Sequence, residues 1–317
     1  MIRAWVVDAA GAREAPPHEA LVAFTEDRGA IWIDFCQETG DQATRLLEGL
    51  NIHPLVIEAM SSHLHRPKVD DYGRYLYLVL HAATWEDRHP VLHELDMVVG
   101  ERFLVTYRDT EEHALAAAHG VLRRRPELLS GGAAPLLHFI VDVLVDQYLV
   151  INDRIADEVA VLEEHALEDP GFHTGRDVMR LKRGISAMRR VIGPQRDTVL
   201  ALTRDEFRAV PAEIRPFLRD VYDRLARVSD LLDSFRDEIS SLLELHVSLV
   251  SNRLNAVIKR LTVIATVGLP LTVVTSYYGM NFALPEYRWP WGEWYALGLL
   301  VLTALATWWF LRRQRLD

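Results

Sequence analysis

The chain has 317 residues, enough for two domains, with 45 acidic and 35 basic residues, a formal net charge of −10 and a mean hydropathy near zero. From Lys259 onward the net charge is +3, while the preceding part carries −13, an acidic balance that argues against nucleic-acid partners and is compatible with cations. The single cysteine, Cys36, excludes a disulfide framework.

Residues 1–130 read as a mixed α/β domain. Ile2–Val7, Ala30–Phe35, Tyr75–His81, Leu92–Val99 and Phe103–Tyr107 are rich in β-branched and aromatic residues and read as strands, with helices over Gln42–Leu50 and Pro54–Met60. Pro16-Pro17 and Arg66-Pro67 punctuate this region. Met1-Ile-Arg-Ala-Trp5 lacks a basic segment followed by an apolar one, so no cleavable signal is expected.

Residues 131–260 read as a region of long helices. Leu136–Leu167 keeps helical spacing of apolar residues and ends at Asp169-Pro170-Gly171; a second helix with basic residues covers Gly175–Leu202. After Pro216 no Gly or Pro occurs for 51 residues, and Leu218, Val221, Leu225, Val228, Leu232, Phe235 and Ile239 recur at helical spacing. A helix that long needs neighbouring helices or other copies of the chain to be stable.

That helix runs into a charge-free stretch of 24 residues, Leu261 to Leu284; a second apolar run of 18 residues, Trp294 to Leu311, follows a short loop. At 1.5 Å per residue they reach roughly 36 Å and 27 Å, enough to cross a bilayer core of about 30 Å. The reading is a transmembrane hairpin: a first, pore-lining span over 261–281, an external loop over 282–293, a second span over 294–311 and a basic tail over 312–317. Lys259-Arg260 and Arg312, Arg313 and Arg315 flank its open ends, so the positive-inside rule places both termini in the cytoplasm. Trp289, Trp291 and Trp294 suit one membrane interface and Trp308-Trp309 the other.

Asn255, Ile258, Leu261, Ala265, Leu269 and Thr272 form a seam on one helix face. In a symmetric bundle each position becomes a ring: Asn and Thr offer oxygens to an ion or its waters, and leucines make a constriction that can dewet. Packing alone explains the same spacing, with Asn255 fixing register. The turn carries Gly279-Met280-Asn281; a ring of neutral amides suits Mg²⁺, which gives up water reluctantly, while the spacing alone fits an ordinary helix C-cap.

Tyr278-Gly279-Met280-Asn281-Phe282, ending the first of two C-terminal spans, resembles the signature of the CorA family of magnesium and cobalt transporters. Ser251–Asn255, Leu261–Thr266, Leu269–Thr272, Leu284-Pro285-Glu286, Arg66–Val69 and Arg312–Arg315 extend the likeness over essentially the whole chain. The resemblance implies a funnel-shaped homopentamer in a bacterial inner membrane that passes Mg²⁺, with Co²⁺ and Ni²⁺ also permeant. It implies an entry filter at Gly279, Met280 and Asn281, a path along the seam, and regulatory Mg²⁺ between subunits, with Asp220 and Glu86 as the matching carboxylates. Ala283 and Leu269 depart from a loop Glu and a constriction Met common in the family. A zinc-transporting branch shares the architecture, usually with another middle residue in the tripeptide. The rival readings are a non-conducting membrane-anchored scaffold or sensor, and a tethered enzyme using His63, His65, Asp70 and Asp71; the latter lacks a third firm ligand, so no enzyme is expected.

Overall fold

The computed structural model describes residues 1–8, 11–37, 40–62, 65–168, 172–204, 206–280 and 284–313. The chain divides into two compact units, Met1–Leu243 and Glu244–Asp317.

The first unit is built on a mixed seven-stranded sheet in the order β2-β1-β3-β7-β6-β5-β4. Its strands are β1 (Ile2–Asp8), β2 (Gly11–Ala15), β3 (Ala30–Cys36), β4 (Lys68–Asp71), β5 (Tyr75–Glu86), β6 (His89–Gly100) and β7 (Phe103–Arg108). Only β3 and β7 pair in parallel; all other neighbours are antiparallel. Strand periodicity sorts the side chains onto two faces. Ala4, Val6, Ile31, Ile33, Tyr77, Val79 and Val105 pack with α1 (Pro17–Thr25), α2 (Asp41–Gly49) and α3 (Pro54–Ser61). Trp5, Trp32, Leu78, Leu80, Met97 and Leu104 share a core with α4 (His113–Leu122), α5 (Glu127–Ser130), α6 (Ala134–Glu168), α7 (Phe172–Leu202) and the first part of α8 (Arg215–Tyr278). Pro16-Pro17 opens α1 rather than a loop, because proline at the first helical position surrenders an N–H that has no partner there anyway.

The β5–β6 hairpin is longer than the apolar runs suggest. Each strand has 12 residues, closed by Asp87-Arg88 with φ of 44° and 65°. Positive φ at both central residues is the two-residue turn whose twist matches paired strands. β4 pairs only with residues 76–79 of β5, so the next backbone groups need other partners. Gln195 supplies them: its Oε1 accepts from the His81 N–H at 2.8 Å, and the Tyr148 hydroxyl donates to the His81 carbonyl.

A second buried polar group sits behind β3. Asp34 is 1% exposed and accepts from Thr106 Oγ1 at 2.6 Å, from Arg108 and from His119 Nε2 at 2.7 Å. Trp5 Nε1 donates to His119 Nδ1 at 2.9 Å, and Trp32 Nε1 to Thr106 Oγ1 at 3.0 Å. Indole N–H can only donate, so His119 is the neutral Nε2–H tautomer. Burial alone would raise the Asp34 carboxyl; hydrogen bonds from His119, Arg108 and Thr106, with the Arg108 charge, hold it below its ordinary value.

α6, α8 and α9 (Gly292–Arg313) are each long and apolar enough to cross a membrane. Half of the apolar window of α6 is buried inside the first unit, which makes it a core helix. The window of α8 is 0% buried and that of α9 6%. In the second unit, apolar residues are exposed around both helices, as expected of a surface that meets lipid or further copies rather than water. A short 3-10 turn, Pro285–Arg288, precedes α9.

Candidate functional site

All six seam residues lie on α8 within the second unit, and all are exposed in the single chain. Ile258 is 51%, Leu261 61% and Leu269 70% exposed. The half-buried positions of the same stretch include Val263, Val267, Pro270, Leu271, Val274 and Tyr278. At 100° per residue the seam fills an arc of about 120°, and the covered stripe is centred roughly 180° from it. α9 has its own half-buried stripe: Ala296, Leu299, Leu300, Thr303, Ala304 and Thr307. The side of α8 that carries Asn255 and Thr272 is therefore turned away from the side covered within the chain.

Local chemistry along this face favours acceptors. Thr272 Oγ1 donates to the Gly268 carbonyl at 2.9 Å, four residues back, so its outward lone pairs remain free to accept. On the covered side of the helix, Pro270 has no N–H, which removes the usual partner of the Thr266 carbonyl in mid-helix. An open groove of about 510 Å³ is lined by Leu269, Thr272, Val273, Ser276, Tyr277 and Met280. Ser276 continues the seam by one turn beyond Thr272; the four-residue step from Thr272 is the signal that locates it.

α8 ends at the tripeptide. The Gly279 N–H reaches the Thr275 and Ser276 carbonyls at 3.0 and 3.2 Å, and the Met280 N–H reaches the Tyr277 carbonyl at 3.3 Å. Gly279 does not take the positive φ of a left-handed cap. Its lack of a side chain matters sterically instead: a Cβ there would stand 3.3 Å from the Thr275 oxygen. Met280 is exposed; Asn281 lies outside the described residues, together with Phe282 and Ala283.

The two carboxylates matched to regulatory positions lie in the first unit. Asp220, on α8, has a side chain 73% exposed, 3.1 Å from Arg224 Nε. The same guanidinium pairs with Asp142 and, at 2.6 Å, with Asp146, one turn apart on α6. Three carboxylates thus share one cation, and two of them, Asp142 and Asp146, stand four residues apart on one face of α6. Glu86 ends β5, is 56% exposed, accepts from Thr84 Oγ1 at 2.7 Å and lies 3.6 Å from His93 Nε2. Among the described residues, no group of three or more His, Cys, Asp or Glu is arranged to hold a metal within one chain. His63 lies outside the described residues, His65 is bound to Glu94, Asp70 pairs with Lys68, and Asp71 accepts from the Gly73 N–H.

Comparison with known proteins agrees over nearly the full length. The family described as CorA-like Mg2+ transporter protein matches residues 27–313. The cobalt/magnesium transport protein CorA of Thermotoga maritima is 34% identical over 305 residues, covering 91% of this chain and 83% of that protein. The zinc transport protein ZntB of Cronobacter sakazakii is 24% identical, covering 98% and 94%. The solved structure of the CorA magnesium transporter from Methanocaldococcus jannaschii superposes with a TM-score of 0.85 at 20% identity, over 99% and 98% of the two chains. A mixed sheet with long helices and a C-terminal apolar pair is shared by fold, and the family consists of transporters rather than enzymes. The chain belongs to the CorA family and is an integral membrane transporter of divalent cations.

Proposed function

We propose that the protein is a passive, gated channel for hydrated Mg²⁺, with Co²⁺ and Ni²⁺ also passing, formed by five identical chains. The observation that carries the reading is the placement of the seam on α8, facing away from the side covered within the chain. Five copies of that face around one axis turn Asn255 and Thr272 into oxygen rings, and Ile258, Leu261 and Leu269 into apolar constrictions, with Ala265 between them. Gly279, Met280 and Asn281 form the entry, where five amides hydrogen-bond the waters of an ion that keeps its shell. Ser276 extends the polar lining toward that entry.

In this reading both termini are cytoplasmic and the membrane is a bacterial inner membrane, whose potential drives entry. Each charge gains about 2.3 kcal/mol per 100 mV, so a divalent ion gains about twice that. Mg²⁺ bound between Asp220 of one chain and Glu86 of the next stabilises the closed state; when internal Mg²⁺ falls, the closed state loses its preferred ligand. Arg224 already partly neutralises Asp220, which keeps that site weak enough to empty.

The test is Mg²⁺ uptake into proteoliposomes holding the purified protein. Asn281→Ala is expected to lose selectivity for Mg²⁺ or most of the flux. Equal flux and selectivity in both proteins would remove the filter. A zinc transporter of the same architecture is the second reading, favoured by the likeness to ZntB, and flux resolved by ion separates the two.

A further inference from the structure

Two adjoining hollows open on the first unit, at the end of the sheet where β4 turns into β5 and β6 into β7. One has a volume of about 240 Å³ and the other about 370 Å³, and they share Glu101, Arg102 and Arg208 in their walls. Three arginines from three separate segments line this cleft: Arg74 from the β4–β5 turn, Arg102 from the β6–β7 turn and Arg208 from the link between α7 and α8. Arg102 pairs with Asp27, whose own side chain is 80% exposed. Among the described residues, Arg74 and Arg208 make no side-chain hydrogen bond or ion pair.

That arrangement runs against the composition. Before Lys259 the chain has 42 acidic and 29 basic residues, so carboxylate partners are plentiful, yet among the described residues Glu101 is the one acid lining the cleft, with Asp27 pairing Arg102 from outside that lining. Like charges gathered around a concave surface focus a positive potential there. The backbone at the rim is set in turns by Asn51, Gly73 and Gly132, with φ of 56°, 75° and 118°. A Cβ on Gly131 would meet nothing within 4 Å, so the cleft is open beside it. Ala134 on the same wall begins a helix of 35 residues. The residue before it, Ala133, has no side-chain oxygen to cap the first turn, and Pro135 has no N–H, which leaves the positive end of α6 without a side-chain cap.

We infer that this cleft binds a small phosphate-bearing anion, of diphosphate size, through Arg74, Arg102 and Arg208. Guanidinium forks match phosphate oxygens in pairs, and the two hollows together exceed the volume of one phosphate. Glu101 opposes a fully ionised ligand, so it tunes the site toward weak, reversible binding.

The experiment is calorimetric titration of the full-length protein in detergent, free of divalent cations, with inorganic pyrophosphate. One anion per chain is expected, with affinity falling as salt rises. Arg74→Glu and Arg208→Glu are each expected to weaken binding at least tenfold, and Glu101→Gln to tighten it several-fold. Both arginines are exposed, so melting temperatures without ligand are expected to stay within a degree or two of wild type. A separate basic groove between α7 and α8, lined by Arg190 and Arg236, serves as the control. Absence of binding at millimolar pyrophosphate, wild-type affinity in the two charge reversals, or an equal loss in Arg190→Glu would overturn the assignment.

Discussion

Asp34→Asn is expected to destabilise the first unit far more than its near-identical shape suggests. Every proton in the surrounding network points at Asp34: Trp32 donates to Thr106, which donates to Asp34, and Trp5 donates to His119, which donates to Asp34 from the opposite side. Arg108 donates to Oδ1 as well, with only 9% of its side chain exposed. An amide replaces one acceptor oxygen with a donor. Whichever way it flips, an N–H faces another N–H or O–H, and neither indole can reverse its bond. An unpaired buried guanidinium costs about 3–5 kcal/mol, and a mispaired buried donor about 1–3 kcal/mol. Relief through relaxation and water leaves roughly 4–6 kcal/mol, against a total domain stability of about 5–15 kcal/mol. For a unit of this size that is a fall in melting temperature of about 10–20 °C. The assay is thermal unfolding of the full-length protein, followed by circular dichroism at pH 7. The pH dependence gives a second check. The folded-state value of Asp34 is lowered, so its stabilisation is complete above about pH 4 and is lost as pH falls through the folded value. The gap between wild type and variant therefore narrows in acid. A drop of less than about 3 °C at pH 7, or a gap that widens in acid, would refute the reasoning.

Asp96 gives the opposite pH signature. Burial, with Glu94 adding, pushes it up to about 7 despite the hydroxyl of Tyr77 at 2.7 Å. The folded state prefers the protonated acid, so stability falls as pH rises from about 4 to about 7. Asp96→Asn is expected to raise the melting temperature by about 2–8 °C at pH 8 and to leave it unchanged at pH 4, read by the same thermal scan. Gln195→Leu strands the buried His81 N–H at a cost of about 1–3 kcal/mol, and amide exchange at His81 is expected to quicken while β6–β7 amides stay protected. Leu269→Ala removes a side chain that is 70% exposed in the single chain, so its effect is expected in ion leak through proteoliposomes held at high internal Mg²⁺; unchanged leak argues against a constriction at that ring.

The long helices were legible because nothing interrupts them: the breaker-free run after Pro216 is the single helix α8, and Leu136–Leu167 lies inside α6. Five strands were legible from β-branched and aromatic runs, but β5 and β6 extend past the runs that ended at His81 and began at Leu92, through residues 82–86 and 89–91. Pairing across a tight turn holds those residues extended, including Glu86 and Pro90, which propensity disfavours in strands. β2 and β4 escaped notice because Gly11–Ala15 and Lys68–Asp71 are short, polar edge strands. His113–Leu122 escaped because alanines and histidines there gave no clear stripe, although Ala114, Leu115 and Ala118 are fully buried. The Asp34–His119 contact joins residues 85 apart, a distance at which spacing carries no signal. Along the seam, periodicity alone located the residues, since one helix supplies them all. The residue pair Asp220 and Glu86 came from resemblance, and periodicity had nothing to say about it.

The glutamine beside His81 has a consequence for where the sheet stops growing. Past its pairing with β4, β5 still has two backbone bonding groups at His81 that a further strand could claim. Gln195 and Tyr148 occupy them with side chains, so a foreign strand must first expel both. The sheet is thereby ended by side chains of its own helices, Gln195 of α7 and Tyr148 of α6, rather than by one more strand.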